Sequence, residues 1–124
     1  MSYSKIKKVR ISKFDKLWSK LVRERDGACL YCGRRDYLAA HHFIRRSFKS
    51  TRLLVDNGVT LCPAHHTFNH EFSAHRTPEA FKRWFTKNYP DRVKLLKKRE
   101  RIMMTERQAI ADFYGAQAVP NGRQ

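Results

Sequence analysis

All three cysteines of this chain, and five of its six histidines, fall between Cys29 and His70. They come in a definite order: Cys29-Leu-Tyr-Cys32, the doublet His41-His42, then Cys62, the doublet His65-His66, and His70, with Asn57 between the two groups. Thiolates and imidazoles at such close spacings are the ligands of tetrahedral zinc. The segment holds more of them than one ion can use. A chain built this way is expected to fold around two metal centres, one holding the fold and one available for chemistry.

The structural set can be read from spacing. Cys29 and Cys32 form one Cys-x-x-Cys pair, and Cys62 with His65 forms a Cys-x-x-His pair. Two ligands on each of two turns converge on one tetrahedral point, which gives a closed Cys3His site for structural Zn²⁺. His66 is the alternative to His65 as fourth ligand. Binding such an ion contributes roughly 10 kcal/mol or more to folding. Lys5, Lys7, Lys8 and Arg10 interrupt any apolar run at the N-terminus, and no stretch approaches the length of a membrane span. The cysteines are therefore expected to be metal ligands in a reducing cytoplasm rather than disulfide partners.

The balance of charge narrows the partner. Lys and Arg number 27 against 11 Asp and Glu, a formal charge of +16 on 124 residues. So large a single-sign excess points to a polyanion, and nucleic acid is the commonest one. The competing explanations are solubility alone or attachment at a membrane surface.

The length suits one domain, residues 1–124. Residues 1–10 read as a basic arm. Ile11, Phe14, Trp18, Leu21 and Val22 recur at helical spacing over residues 11–26, with Ser12 as expected cap and Gly27 as left-handed stop. Trp18 reads as core. Residues 27–75 hold the metal-rich core, with strands expected over 37–44 and 58–61 and a basic loop over 45–57. Pro63 opens a helix that carries the later histidines. Thr77-Pro78-Glu79 starts the first of the C-terminal helices (77–114), and Tyr89-Pro90 ends it. One long helix is expected over 92–114, with an apolar seam of Leu95, Ile102 and Ala109 beside Leu96, Met103 and Ile110; it serves fold packing or pairing of subunits. Residues 115–124 read as a tail. The fold class is α+β.

Removing the structural set leaves His41, His42, His66 and His70. His66 and His70 stand four apart, so on a helix they share a face, as two ligands of one ion must. His41 and His42 are adjacent on an expected strand and point opposite ways, so one can bind a metal while the other faces a substrate.

The order of these pieces resembles the HNH endonuclease family, whose fold is a ββα-metal finger. The resemblance runs from about Cys29 to Trp84. It is carried by Cys29-Leu-Tyr-Cys32, Ala40-His41-His42-Phe-Ile-Arg-Arg-Ser47, Asp56-Asn57-Gly-Val-Thr-Leu61-Cys62, and His65-His66 with His70. It implies a small ββα-metal core with a zinc knuckle, flanked by one N-terminal helix and two C-terminal helices. His42 would be the general base, and Asn57 would tie the loop between the strands and keep His42 oriented. His41, His66 and His70 would bind the catalytic ion, Mg²⁺ or Mn²⁺, with Ni²⁺ or Zn²⁺ also suited to three imidazoles. The segment His70 to Pro78 resembles the family's end-of-helix pattern as well, which makes His75 the alternative third ligand. On one straight helix His75 would lie almost opposite His66, so His70 is the expected ligand.

The activity implied is hydrolysis of DNA phosphodiester bonds by a small phage or mobile-element nuclease. A packaging or replication protein is a conceivable partner. Arg45, Arg46, Lys49 and Arg52 follow the doublet and are expected to hold phosphates. The cations from Arg92 to Arg101 either track the DNA backbone or form the wet face of a packed helix. No base-reading pattern is evident, so little sequence specificity is expected. The alternative function is a zinc-stabilised nucleic-acid-binding module without catalysis.

Overall fold

The computed structural model of the chain describes residues 10–118. The expected basic arm before Arg10 and residues 119–124 lie outside the described residues. The fold is α+β: among the described residues, five α-helices surround one two-stranded antiparallel sheet.

Helix α1 spans Asp15–Asp26, and a 3₁₀ turn, Ile11–Phe14, precedes it. Ser12 does not cap the helix; the Ile11 amide donates instead to the Glu106 carboxylate at 2.6 Å. Ile11, Phe14, Trp18 and Val22 are buried, as their spacing requires. Gly27 closes α1 at φ 70, its amide donating to the Arg23 carbonyl at 2.8 Å.

Strand β1 (Ala39–His42) is shorter than the range expected, 37–44, whereas β2 (Gly58–Leu61) has the expected bounds. The register sets His41 opposite Val59 and His42 opposite Gly58. Side chains alternate across the sheet, so each face builds its own core. On one face Val59 and Leu61 join Cys29, Cys62, Phe81, Phe85 and Val93. On the other, Thr60 donates its hydroxyl to the Val22 carbonyl, and Ala40 packs with the cluster of Trp18, Val22, Leu53 and Phe113. His41 therefore lies against Phe81, with ring centroids 5.1 Å apart, while His42 lies on Trp18.

Gly58 sets how closely α1 approaches the sheet. A Cβ there would stand 2.2 Å from Val22 Cγ2 and 3.0 Å from Trp18 Cζ2, both fully buried side chains. Gly58→Ala is expected to destabilise the fold by about 2 kcal/mol, in the range of overpacked cores. A urea melt checks this, and an unchanged midpoint would contradict it.

The connection between the strands is more ordered than a loop. It contains a single helical turn, α2 (Lys49–Arg52), and a 3₁₀ turn at Val55–Asn57. After β2, Ala64–Phe68 form one π-helical turn, and the chain leaves helical geometry at Asn69. Helix α3 (Pro78–Asn88) begins at the expected place. Thr77 does not cap it through its side chain; its Oγ1 accepts from the Ser73 amide and donates to the Ser73 carbonyl, both at 2.9 Å.

The single long C-terminal helix expected from the apolar repeat is in fact two, α4 (Pro90–Glu100) and α5 (Glu106–Ala118). The break is chemical. Thr105 Oγ1 accepts from the Gln108 amide at 3.1 Å and Gln108 Oε1 accepts from the Thr105 amide at 2.8 Å, a reciprocal capping box. The apolar seam dissolves with it: Leu96 and Ala109 are buried, but Leu95, Ile102 and Met103 are 49%, 50% and 93% exposed. Helix α5 also continues past Gly115, into the segment expected to be tail.

Candidate functional site

The expected structural set comes together. The donor atoms of Cys29, Cys32, Cys62 and His65 lie within 4.8 Å of one another. Cys62 Sγ is 3.3 Å from His65 Nδ1 and 3.7 Å from Cys32 Sγ, and Cys29 Sγ is 3.9 Å from His65 Nδ1. Tetrahedral zinc with bonds of about 2.0–2.3 Å would space its ligands roughly 3.3–3.8 Å apart. The cluster could hold a metal such as zinc, with His65 rather than His66 as the fourth ligand. Burial pushes the Cys29 thiol up, but the backbone amides of Cys62, Cys32 and Tyr31 outweigh it and leave the thiol below its usual range. Burial raises the Cys32 thiol, and the neighbouring sulfurs add to that. Burial also lowers the His65 pKa, which favours the neutral, ligating imidazole.

Gly33 turns under the sulfurs at φ 84, its amide donating to the Cys29 carbonyl at 2.8 Å. The Leu30 amide donates to the Thr60 carbonyl at 2.9 Å and fastens this knuckle to β2. Tyr31 stacks on Phe72 with centroids 3.8 Å apart and covers His65 at 4.6 Å.

The second cluster is His41, His66 and His75, whose nearest nitrogens also lie within 4.8 Å of one another. His66 Nε2 and His75 Nε2 are 3.1 Å apart. This corrects the expectation for His70. That expectation assumed a straight helix after Pro63, but the π-helical turn ends at Phe68 and the chain doubles back. The Ala74 amide then donates to the His65 carbonyl at 2.8 Å and the His75 amide to the His66 carbonyl at 3.1 Å. His75 is thereby laid beside His66, while His70 Nδ1 pairs with the Arg76 guanidinium at 3.0 Å. Burial first, then the facing His66 and His75, hold the His41 pKa down at about 3. Burial and His75 lower His66 as well. Three imidazoles converging on one point form a donor set suited to a divalent ion.

His42 stands on the other side of β1. Its ring stacks on the Trp18 indole at a centroid separation of 3.7 Å and an interplanar angle of 8°. Its Nε2 is 2.9 Å from the Arg52 carbonyl. A carbonyl only accepts, so Nε2 carries the hydrogen and Nδ1 carries the lone pair. Burial lowers the His42 pKa to about 4, against a smaller opposing pull from the Arg52 carbonyl and Asp15. Trp18 Nε1 donates to the Leu54 carbonyl at 2.7 Å, so both rings are tethered to the same turn. Trp18 is core, as its spacing indicated, yet it is also the surface on which His42 lies.

Asn57 is fully buried, and its side chain hydrogen-bonds Ile44 rather than His42. Its Oδ1 accepts from the Ile44 amide at 2.7 Å and its Nδ2 donates to the Ile44 carbonyl at 2.9 Å, pinning the chain two residues after His42. The role expected of it, tying the inter-strand connection, is served at Ile44.

The four expected phosphate-holding cations separate. Arg45 and Arg46 are exposed and line an open cleft of about 1020 Å³ that His41, His42, His66 and His75 also line. Lys49 borders a different, smaller hollow. Arg52 is turned inward and grips Asp15 of α1 with two bonds, Nε to Oδ1 at 3.1 Å and Nη2 to Oδ2 at 2.6 Å. It is a fastener of α1 rather than a free cation. Arg92 on α4 is likewise turned inward, donating to the Asp56 and Gly58 carbonyls, and Arg99 pairs with Asp112.

No protein-family model, characterised protein or solved structure matches this chain. Among the described residues, no helix is long and apolar enough to cross a membrane.

Proposed function

We propose that this chain is a divalent-metal-dependent endonuclease of the HNH type, hydrolysing DNA phosphodiester bonds with little sequence preference. One observation supports this most. A single cleft is lined by a three-imidazole cluster and by His42, a neutral histidine whose Nδ1 lone pair is left available by the bond at Nε2. A module that only bound nucleic acid would need neither.

In this reading His41, His66 and His75 would hold the ion. A divalent ion, when bound there, neutralises charge at the phosphate and supports the departing oxygen. His42 accepts a proton from the attacking water at Nδ1, and the Arg52 carbonyl keeps the ring in the tautomer that can do so. Arg45 and Arg46 hold the phosphate beside the cleft. The +16 formal charge supplies long-range attraction to the polyanion.

The experiment is cleavage of supercoiled plasmid by the zinc-loaded protein, with no added divalent ion and then with Mg²⁺, Mn²⁺ or Ni²⁺. Cleavage should require the added ion. His75→Ala should lower it by roughly 10- to 100-fold at limiting metal, the cost of a lost or misplaced ligand-sphere contact, whereas His70→Ala should leave it near wild type. Binding of DNA without cleavage under every ion would exclude the nuclease and leave the binding module.

A further inference from the structure

Helix α3 carries a second charged feature of the cleft that the histidine motif does not include. Pro78, Lys82 and Thr86 follow at intervals of four, so they fall on one face of α3, and all three line the cleft. The adjoining face of the helix is apolar and buried through Phe81 and Phe85. The polar stripe starts three residues after His75, and Lys82 stands a rise of about 6 Å beyond Pro78 along the helix axis. Lys97 reaches the same cleft from α4, although its neighbours Lys94 and Lys98 do not line it. Lys82 and Lys97 are exposed. Neither takes part in an ion pair among the described residues.

The acids of the cleft do not balance them. Asp15 is held by Arg52 at 2.6 Å and faces Arg46 at 3.7 Å, which leaves Glu100 as the other carboxylate on the cleft wall. Cations thus come to the cleft from two directions, Arg45 and Arg46 from the connection after β1, and Lys82 and Lys97 from α3 and α4.

We infer that Lys82 and Lys97 form a track for nucleic-acid backbone phosphates that continues the substrate strand beyond the imidazole cluster, on the α3–α4 side of the cleft. The inference rests on the reading of the cleft as a nucleic-acid site. Two flexible ammonium groups and a hydroxyl at Thr86 suit non-bridging phosphate oxygens and carry no base-reading geometry, so the contact is independent of sequence. The track also accounts for a strongly basic helix pair in which only some of the cations are turned toward the cleft.

The test is equilibrium binding of a duplex oligonucleotide to the zinc-loaded protein, by fluorescence anisotropy over a range of salt and without added catalytic ion. Lys82→Ala with Lys97→Ala is compared with Lys94→Ala with Lys98→Ala, a pair that removes the same charge from outside the cleft. Two phosphate contacts contribute about 1.8 to the slope of log K against log salt, at about 0.9 each. The first pair should reduce the slope by that amount and the control pair by much less. Equal reductions from both pairs, no reduction from either, or no binding by the wild type would overturn the track. Because the readout is binding, its result stands apart from cleavage. A non-cleaving protein with the reduced slope refutes the nuclease and keeps the track, and a cleaving protein with an unchanged slope does the reverse.

Discussion

Cys62→Ser is expected to leave the chain without a cooperative fold, the largest effect predicted for any single substitution here. Cys62 is central to the Cys3His cluster, with its Sγ 3.3 Å from His65 Nδ1 and 3.7 Å from Cys32 Sγ. It is also a member of the core that holds Val59, Leu61, Phe81 and Phe85. A serine hydroxyl is a poor zinc ligand. Zinc in such a site contributes about 10–16 kcal/mol, while small domains are stable by only about 5–15 kcal/mol in total. The loss therefore equals or exceeds the whole stability. The sheet offers little to replace it, since each strand is only four residues long. The knuckle, the Tyr31–Phe72 stack and the turn that returns His75 to His66 all hang on the residues of this cluster. The measurement is near-ultraviolet circular dichroism with titration of released zinc. Wild-type protein should hold one tightly bound zinc and lose its aromatic signal in excess chelator. The Cys62→Ser chain should lack that signal from the start. A variant that melts cooperatively near the wild-type midpoint would show that the cluster does not hold the fold.

How much of this was legible beforehand differs from element to element, for physical reasons. Ligand spacing is a local property, so Cys29, Cys32, Cys62 and His65 could be grouped from sequence, and the structure brings them together. The strand doublet was equally legible, because alternation forces His41 and His42 to opposite faces whatever the rest of the chain does. His75 was legible only as the alternative that the resemblance offered, because its position depends on how the chain leaves the turn after Cys62. A π-helical turn ending at Phe68 followed by a return to His66 has no periodic signature. The break between α4 and α5 did carry a signal: Thr105-Glu-Arg-Gln108 is a capping-box pattern. A seven-residue apolar repeat running through it pointed the other way, and the local hydrogen bonds prevail. Arg52 shows the limit of reading charge from sequence. Its side chain looked like one more cation of a basic loop, yet a half-buried grip on Asp15 occupies its guanidinium. Only tertiary packing decides which cations remain available.

His42→Phe is expected to abolish most of the proposed cleavage while leaving the fold and DNA affinity near wild type. Phenylalanine is chosen over alanine because the ring can keep its place on Trp18, where the His42 ring now lies at 3.7 Å. What it lacks is the nitrogen pair: one to donate to the Arg52 carbonyl and one to accept a proton. Loss of a general base costs roughly 10²–10⁴ in rate. The unpaired Arg52 carbonyl adds a stability cost of about 1 kcal/mol, which a melt should detect without loss of the cooperative transition. His41→Ala should look different. It removes a member of the three-imidazole cluster, so the rate should recover in part as the metal concentration is raised, whereas the His42→Phe rate should not respond. Single-turnover cleavage across a metal titration, run beside binding in the absence of catalytic ion, separates the two. A His42→Phe protein that cuts at the wild-type rate would remove His42 from the chemistry and shift attention to another acceptor in the cleft. A rate that instead rises with metal would make His42 part of the ion site, with both members of the doublet serving the same ion from opposite faces of one short strand.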